Sequence, residues 1–380
     1  MLARRLATTL SVALLGLAAA MSGPAAGVLP QRTFVSGGGS DANTASGCSL
    51  VSPCRGFGAA LTVTRPGGEI IVLDSAGYGT VSIAQAVAIV SPPGVYAGIS
   101  VQSGDGITVT AGGNDTVRLA GLTITGLGGN NGVVVTSVGT FVAENLVVIG
   151  FLNNGMLITG SGLQWVVRGS HFIGNGGKGL EFTSGSSVGA LHVEGSGFEK
   201  NHVGLSYNAS NPVGTIVSST ASRNDIDAFV VSAGRVQFSD CRADNYASGA
   251  VNHAVLADGA ATFVSVDRCV SSGIINAFYA TNGAQLTITD ASAIGPGVGL
   301  GTGLGAFGSG LLVAERVAVS HFFYGVEADS GGIVRVSNST ITGNSSGLAN
   351  FAGTIESRQN NSVVGNGTPT SGTMASFTPL

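Results

Sequence analysis

Between residues 131 and 366 the apolar positions come in short alternating runs, and Asn- and Gly-rich bends separate the runs. NGVVVTSVGTFVAENLVVIGFLN begins at Asn131 and NGMLITGSGLQWVVRGSHFIGNGG at Asn154. Further units of the same grammar open at Lys178, Val203, Ile226, Asn252, Asn276, Thr302, Tyr324 and Ser346, with a looser one at Asp105. Starts from Asn131 onward lie 22 to 26 residues apart. A period in that range marks a stacked-repeat architecture. Within a unit the alternation is of two, and Val, Ile, Thr and Gly dominate. A helical repeat needs a 3.6-residue period and good helix formers. The pattern therefore predicts an all-β parallel solenoid, three short strands per coil, each coil pairing with the one before it.

The alternation also assigns faces. Counting from each start, the second and fourth residues after it are expected inside: Val133 and Val135, Met156 and Ile158, Leu180 and Phe182, Leu205 and Tyr207. The same count selects Ala228 and Val230, Ala254 and Leu256, Phe278 and Ala280, Leu304 and Ala306, Val326 and Ala328. The residue between each pair is expected outside, in a row that includes Val134, Glu181, Phe229, Val255, Tyr279 and Glu327. Phe229, Val255 and Tyr279 fall on successive coils, so at about 4.8 Å per strand they predict an apolar stripe roughly 10 Å long. Such a stripe is a candidate contact surface for sugar rings or a partner protein.

The two ends read differently. Residues 1–26 have Arg4 and Arg5 ahead of an apolar run, Leu6 to Ala20, and small residues at a cleavage point between Ala20 and Ala26. That is a signal-peptide pattern, and no later apolar run is long enough to span a bilayer. The chain is accordingly expected to be secreted, periplasmic or on the cell surface. Residues 27–66 are expected to cap the solenoid, with Phe57 to Val63 laid as a helix across the first coil. Cys48 and Cys54 flank the preceding turn, and in an oxidising compartment they are expected to form a disulfide. The stack is expected to run over 67–366. The polar stretch 367–380 shows no capping helix, so it either folds over the last coil or leaves an edge open to self-association.

The repeated units resemble the right-handed parallel β-helix proteins of the pectate-lyase-like class over about residues 67–366. The opening TFVSGGGSDAN…PCRGF is similar to the start of secreted bacterial members. The resemblance implies the fold. The class includes lyases, hydrolases, epimerases and non-enzymatic surface proteins, so it leaves the activity open. Asn-Thr-Asp, Asp-Asp, Gly-His-Gly and Arg-Ile-Lys elements of the polygalacturonase-like enzymes do not occur here. Calcium-type pectate lyases gather acidic residues beside a basic one, whereas acidic residues here are spread along the coils and Lys is limited to Lys178 and Lys200.

Charge narrows the field further. Only 9% of residues are charged and the net charge is −4, so there is no basic footprint for nucleic acid. Near the corner after the second strand sit Glu144, Arg168, Glu194, Ser218, Asp240, Arg268, Asp290 and Glu315, with signs that alternate along much of the row. Stacked like charges repel and alternation relieves this, so the row reads as a register-keeping charge ladder. Its catalytic alternative uses Asp240 and Asp290, about 10 Å apart by strand spacing, with Asp267 beside them. Cys241 and Cys269 share a corner on adjacent coils, within reach of a disulfide, a stacked free pair being the alternative. The five His residues, His171, His192, His202, His253 and His321, fall at different coil positions, so no metal site is expected. No cofactor is expected either, and calcium has no motif behind it, since nonapeptide GGxGxDxUx repeats do not occur. The leading expectation is non-catalytic association with extracellular polysaccharide or the cell surface. The alternatives are a polysaccharide lyase, hydrolase or epimerase, and an adhesin-like protein-contact module.

Overall fold

A computed structural model describes residues 28–183, 189–244, 253–297 and 299–377. The expected signal peptide lies outside the described residues. The chain winds into a parallel β-solenoid of about 12 turns. First and second strands of successive coils belong to one 26-stranded sheet, and third strands form a 13-stranded sheet, counted over the described residues. Every strand pairs in parallel with the equivalent strand one coil away: Met156 lies over Val133 and under Leu180, and Trp165 between Phe141 and Leu191.

The cap precedes the stack. Strand Arg32–Val35 pairs with Gly68–Val72, so pairing begins ahead of residue 67. Helix Phe57–Val63 follows a disulfide between Cys48 and Cys54, whose Cα atoms are 4.9 Å apart. Phe57 and Ala60 are its buried residues, and the Phe57 ring lies 5.2 Å from that of Tyr78 in the first coil. The helix thus covers apolar side chains that the first coil would otherwise expose. At the other end, strands Thr368–Ser371 and Met374–Ser376 pair on Ser346–Asn350 and Thr354–Ser357, so pairing also continues past residue 366.

Backbone geometry makes the corners. After each second strand one residue takes a positive φ: Asn145, Ser218, Asp240, Arg268, Asp290, Arg316 and Asn338, with Gly121, Gly169 and Gly195 on other coils. One left-handed residue redirects the chain, and its side chain is left outside. The next residue points in, giving Leu146, Ser170, Ser196, Ser219, Cys241 and Cys269. Each buried hydroxyl here accepts from the backbone N–H of the preceding coil: Leu146 N–H donates to Ser170 Oγ at 3.1 Å and Ser170 N–H to Ser196 Oγ at 3.3 Å. Cys241 and Cys269 continue that ladder as a disulfide, Cα–Cα 4.6 Å. Asn175, Asn201 and Asn224 do the same at another bend, and the side-chain amide of each of the first two donates to the next. In this row the left-handed residue is the one before, as at Gly174, Lys200 and Arg223, and the Asn turns inward to satisfy buried backbone.

Two coils correct the expected facing. Phe229 and Val255 are fully buried, opposite Leu205 and Phe278, and Val230 and Leu256 hold the outward positions. These coils begin at Asp227 and His253, one residue later than the periodicity suggests. Ala228, Phe229, Val230 and Val231 are all apolar, so alternation alone cannot set their phase. The deciding element is a column of small residues, Gly155, Gly179, Gly204, Ala228, Ala254, Ala277 and Gly303. At Gly155 a β-carbon would come within 2.7 Å of the next coil's carbonyl. Only Ala228 and Ala254 suit that column. The proposed exposed stripe of Phe229, Val255 and Tyr279 therefore does not exist, and Tyr279 alone lies on the outer face.

Candidate functional site

The corner row separates into two neighbouring columns. Glu144, Arg168, Glu194, Asp267 and Glu315 end second strands in register, whereas Ser218, Asp240, Arg268 and Asp290 occupy the left-handed corner one residue later. In the corner column the charges meet their opposites. Arg268 grips Asp240 through Nε and Nη2 at 2.8 and 2.9 Å, and Arg316 grips Asp290 at 2.7 and 2.9 Å. Arg268 also pairs with Asp267, whose other oxygen accepts from Thr289 at 3.1 Å. Hydrogen bonds from Arg268 and Arg316 hold the Asp240 and Asp290 carboxyls below the ordinary range. A carboxylate held ionised in this way is poorly suited to donate a proton at neutral pH. In the strand-end column Arg118 bonds Glu144 at 2.8 Å and Arg168 bonds Glu194 at 3.2 Å.

The outer face of the first strands is organised differently. Its outward positions include the start of each coil and the residue three further on. At the cap-proximal end Asn154 donates to Glu181 at 2.8 Å, and Lys178 donates to the same carboxylate at 2.5 Å. Farther along, His253 Nδ1 lies 2.8 Å from Asp227 Oδ1, both side chains being buried.

Beyond His253 the face opens into a hollow of about 390 Å³, lined by Asn276, Tyr279, Thr302, Tyr324 and Glu327 with Leu300 and Phe323 at its margin. Gly305 makes the room. It lies between Tyr279 and Glu327 in the outward column, and a β-carbon there would come within 2.7 Å of the Tyr279 ring. Tyr279 therefore lies down across the sheet, stacked on Phe307 at 5.2 Å and meeting His253 edge-on at 4.8 Å. Tyr324 is flanked by Phe323 and Phe351 at 4.5 and 5.4 Å. Phe323 and Phe351 keep 39% and 54% of their surface exposed, so the aromatic margin faces outward.

Polar groups converge on the same space. Tyr279 donates its hydroxyl to Asn276 Oδ1 at 3.1 Å, and Thr302 donates to Glu327 Oε2 at 2.5 Å. Burial pushes the Glu327 carboxyl up. The Thr302 hydrogen bond opposes that shift and the Asp329 charge adds to it. Burial likewise raises the Tyr279 phenol. No salt bridge engages Glu327 among the described residues. A second hollow of about 350 Å³ lies on the second strands, where Arg235 sits 5.4 Å over the Phe263 ring, but it holds no carboxyl. Among the described residues no three His, Cys, Asp or Glu cluster at metal-binding distance, and no helix is long and apolar enough to cross a membrane.

Sequence reasoning placed Tyr279 and Glu327 on the outer face but did not single out Glu327, Asn276, Thr302 or Tyr324 as a site. A signal was present. The neighbours of Glu327 in its column are Gly305 and Ala349, which offer no countercharge.

No family model matches the chain, and no curated protein matches it. Among solved structures, a pectate lyase, Pel9A, aligns with a TM-score of 0.48 at 17% identity, covering 83% of this chain and 79% of that one. A rhamnogalacturonan lyase aligns with a TM-score of 0.39 at 11% identity, covering 81% and 87%.

Proposed function

We propose that the protein is an exported glycan-binding β-helix, whose main anchor is the hollow formed by Asn276, Tyr279, Thr302, Tyr324 and Glu327. The observation that carries this reading is the meeting of aromatic walls and a small polar set in one open hollow. Sugar rings present C–H faces that suit the negative face of an aromatic ring, and hydroxyls that suit amide, phenol and carboxyl groups. The long, regular outer face offers room for a chain of sugars along the axis. Two disulfides agree with export, because such bonds persist in oxidising compartments.

Binding rather than turnover is the proposed activity. Asp240, Asp267 and Asp290 are tied into exposed ion pairs on the corner, which supports a role in keeping register. The protein-contact alternative loses its basis with Phe229 and Val255 in the core. A glycan array followed by affinity electrophoresis tests the proposal. Tyr279→Ala, folded by circular dichroism, is expected to weaken retention of the bound glycan about ten-fold or more, the scale of a central aromatic anchor. Unchanged retention in that variant, or hydrolysis or elimination products from wild type, refutes it.

A further inference from the structure

Charge along the first-strand face is one-sided. From Val203 to Ala349 its described outward positions hold Asp227, Asp258 and Glu327, and no Lys or Arg. The two arginines on the coils of the hollow are engaged elsewhere: Arg316 with Asp290 on the corner, and Arg335 with Glu356 on the second strands. His253 is taken by Asp227. Asp329 adds another negative charge near Glu327.

A polyuronate carries a carboxylate on every sugar. Laid into this hollow, it would bring like charge against Glu327 with no countercharge from the described residues, and like-charge contact is strongly selective against a ligand. An uncharged sugar meets no such barrier. Its hydroxyls can accept from or donate to the polar groups of Glu327, Asn276 and Tyr279. We infer that the hollow selects uncharged glycans and rejects polyuronates, with Glu327 as the residue that enforces the rejection. This rests on the glycan-binding role of the hollow.

The experiment measures affinity for soluble galactan, mannan and β-glucan, for polygalacturonate with and without calcium, and for chitosan. At least one neutral glycan is expected to bind, with polygalacturonate weaker by about ten-fold or more under either condition. Glu327→Gln is expected to shrink that ratio several-fold, and raised salt should shrink it in wild type by screening. The salt series decides the matter if the variant fails to fold. Polygalacturonate or chitosan as the tightest Tyr279-dependent ligand overturns the neutral selectivity and leaves the glycan site standing. A ratio insensitive to both Glu327→Gln and salt overturns the role of Glu327. No retained glycan at all removes the site and the selectivity together.

Discussion

The corner column and the hollow are both rows of outward side chains stacked coil over coil, and they handle charge in opposite ways. On the corner, Asp240, Arg268, Asp290 and Arg316 alternate in sign, and each carboxylate lies in a two-pronged guanidinium grip. On the first-strand face Glu327 has Gly305 and Ala349 as stacking neighbours, with hydroxyls and aromatic rings around it. The corner carboxyls are held below their ordinary range by their partners, and the Glu327 carboxyl is pushed above its own by burial. A matched charge spends its field within the protein, whereas an unmatched one in a hollow is available to something else.

The most severe way to disturb the contrast is to remove what lies beneath the hollow. Phe278 is buried on the inner side of the strand that presents Tyr279. Phe278→Ala should cost about 3–5 kcal/mol in denaturant unfolding and should abolish glycan retention with it. The corner has its own support in Cys241–Cys269, which closes a segment of 28 residues. Changing both to Ser keeps hydroxyls in the ladder that Ser170, Ser196 and Ser219 use, so the loss should approach the cross-link alone. That is about 3–4 kcal/mol in the chain-entropy picture, visible as a lower urea midpoint with glycan affinity retained.

Acidity sharpens the contrast by sign. The folded protein holds the Glu327 proton more tightly than the unfolded chain does, so this residue makes stability fall as pH rises from about 4.5 through the raised value. Asp240 and Asp290 act the other way, contributing stability that is lost as pH falls through their lowered values. Glu327→Gln should therefore raise the thermal midpoint at neutral pH and have little effect at pH 4; the reverse pattern would contradict a desolvated carboxyl. The smallest effect belongs to Arg268→Ala. Its partners on the corner are exposed and water screens them, so the thermal midpoint should stay close to wild type.

Much of the architecture was legible because a solenoid repeats its rules. Val133, Met156, Leu180 and Leu205 follow one another at a near-constant interval, and they do stack in a buried column. The cap helix was legible from the amphipathic run Phe57–Val63, and the cysteine pairs from their positions at one turn and one corner. Phe229 and Val255 were misread because their flanking residues are apolar too. The clue that sets their phase, a Gly or Ala one position earlier, records a steric limit imposed by the neighbouring coil. The corner charges were merged into one row because a single left-handed residue offsets Asp240 and Arg268 from Glu144 and Arg168.

The chain's own pattern thus determined that coils form, roughly where each begins, and which stretch closes the first of them, since alternation and turn chemistry act over a few residues. Which side chains meet across coils was decided only by the folded stack. Pairing of Arg268 with Asp240, and the lack of a countercharge for Glu327 among the described residues beside the space left by Gly305, depend on registers some two dozen residues long. A shift of one residue in such a register exchanges inside for outside.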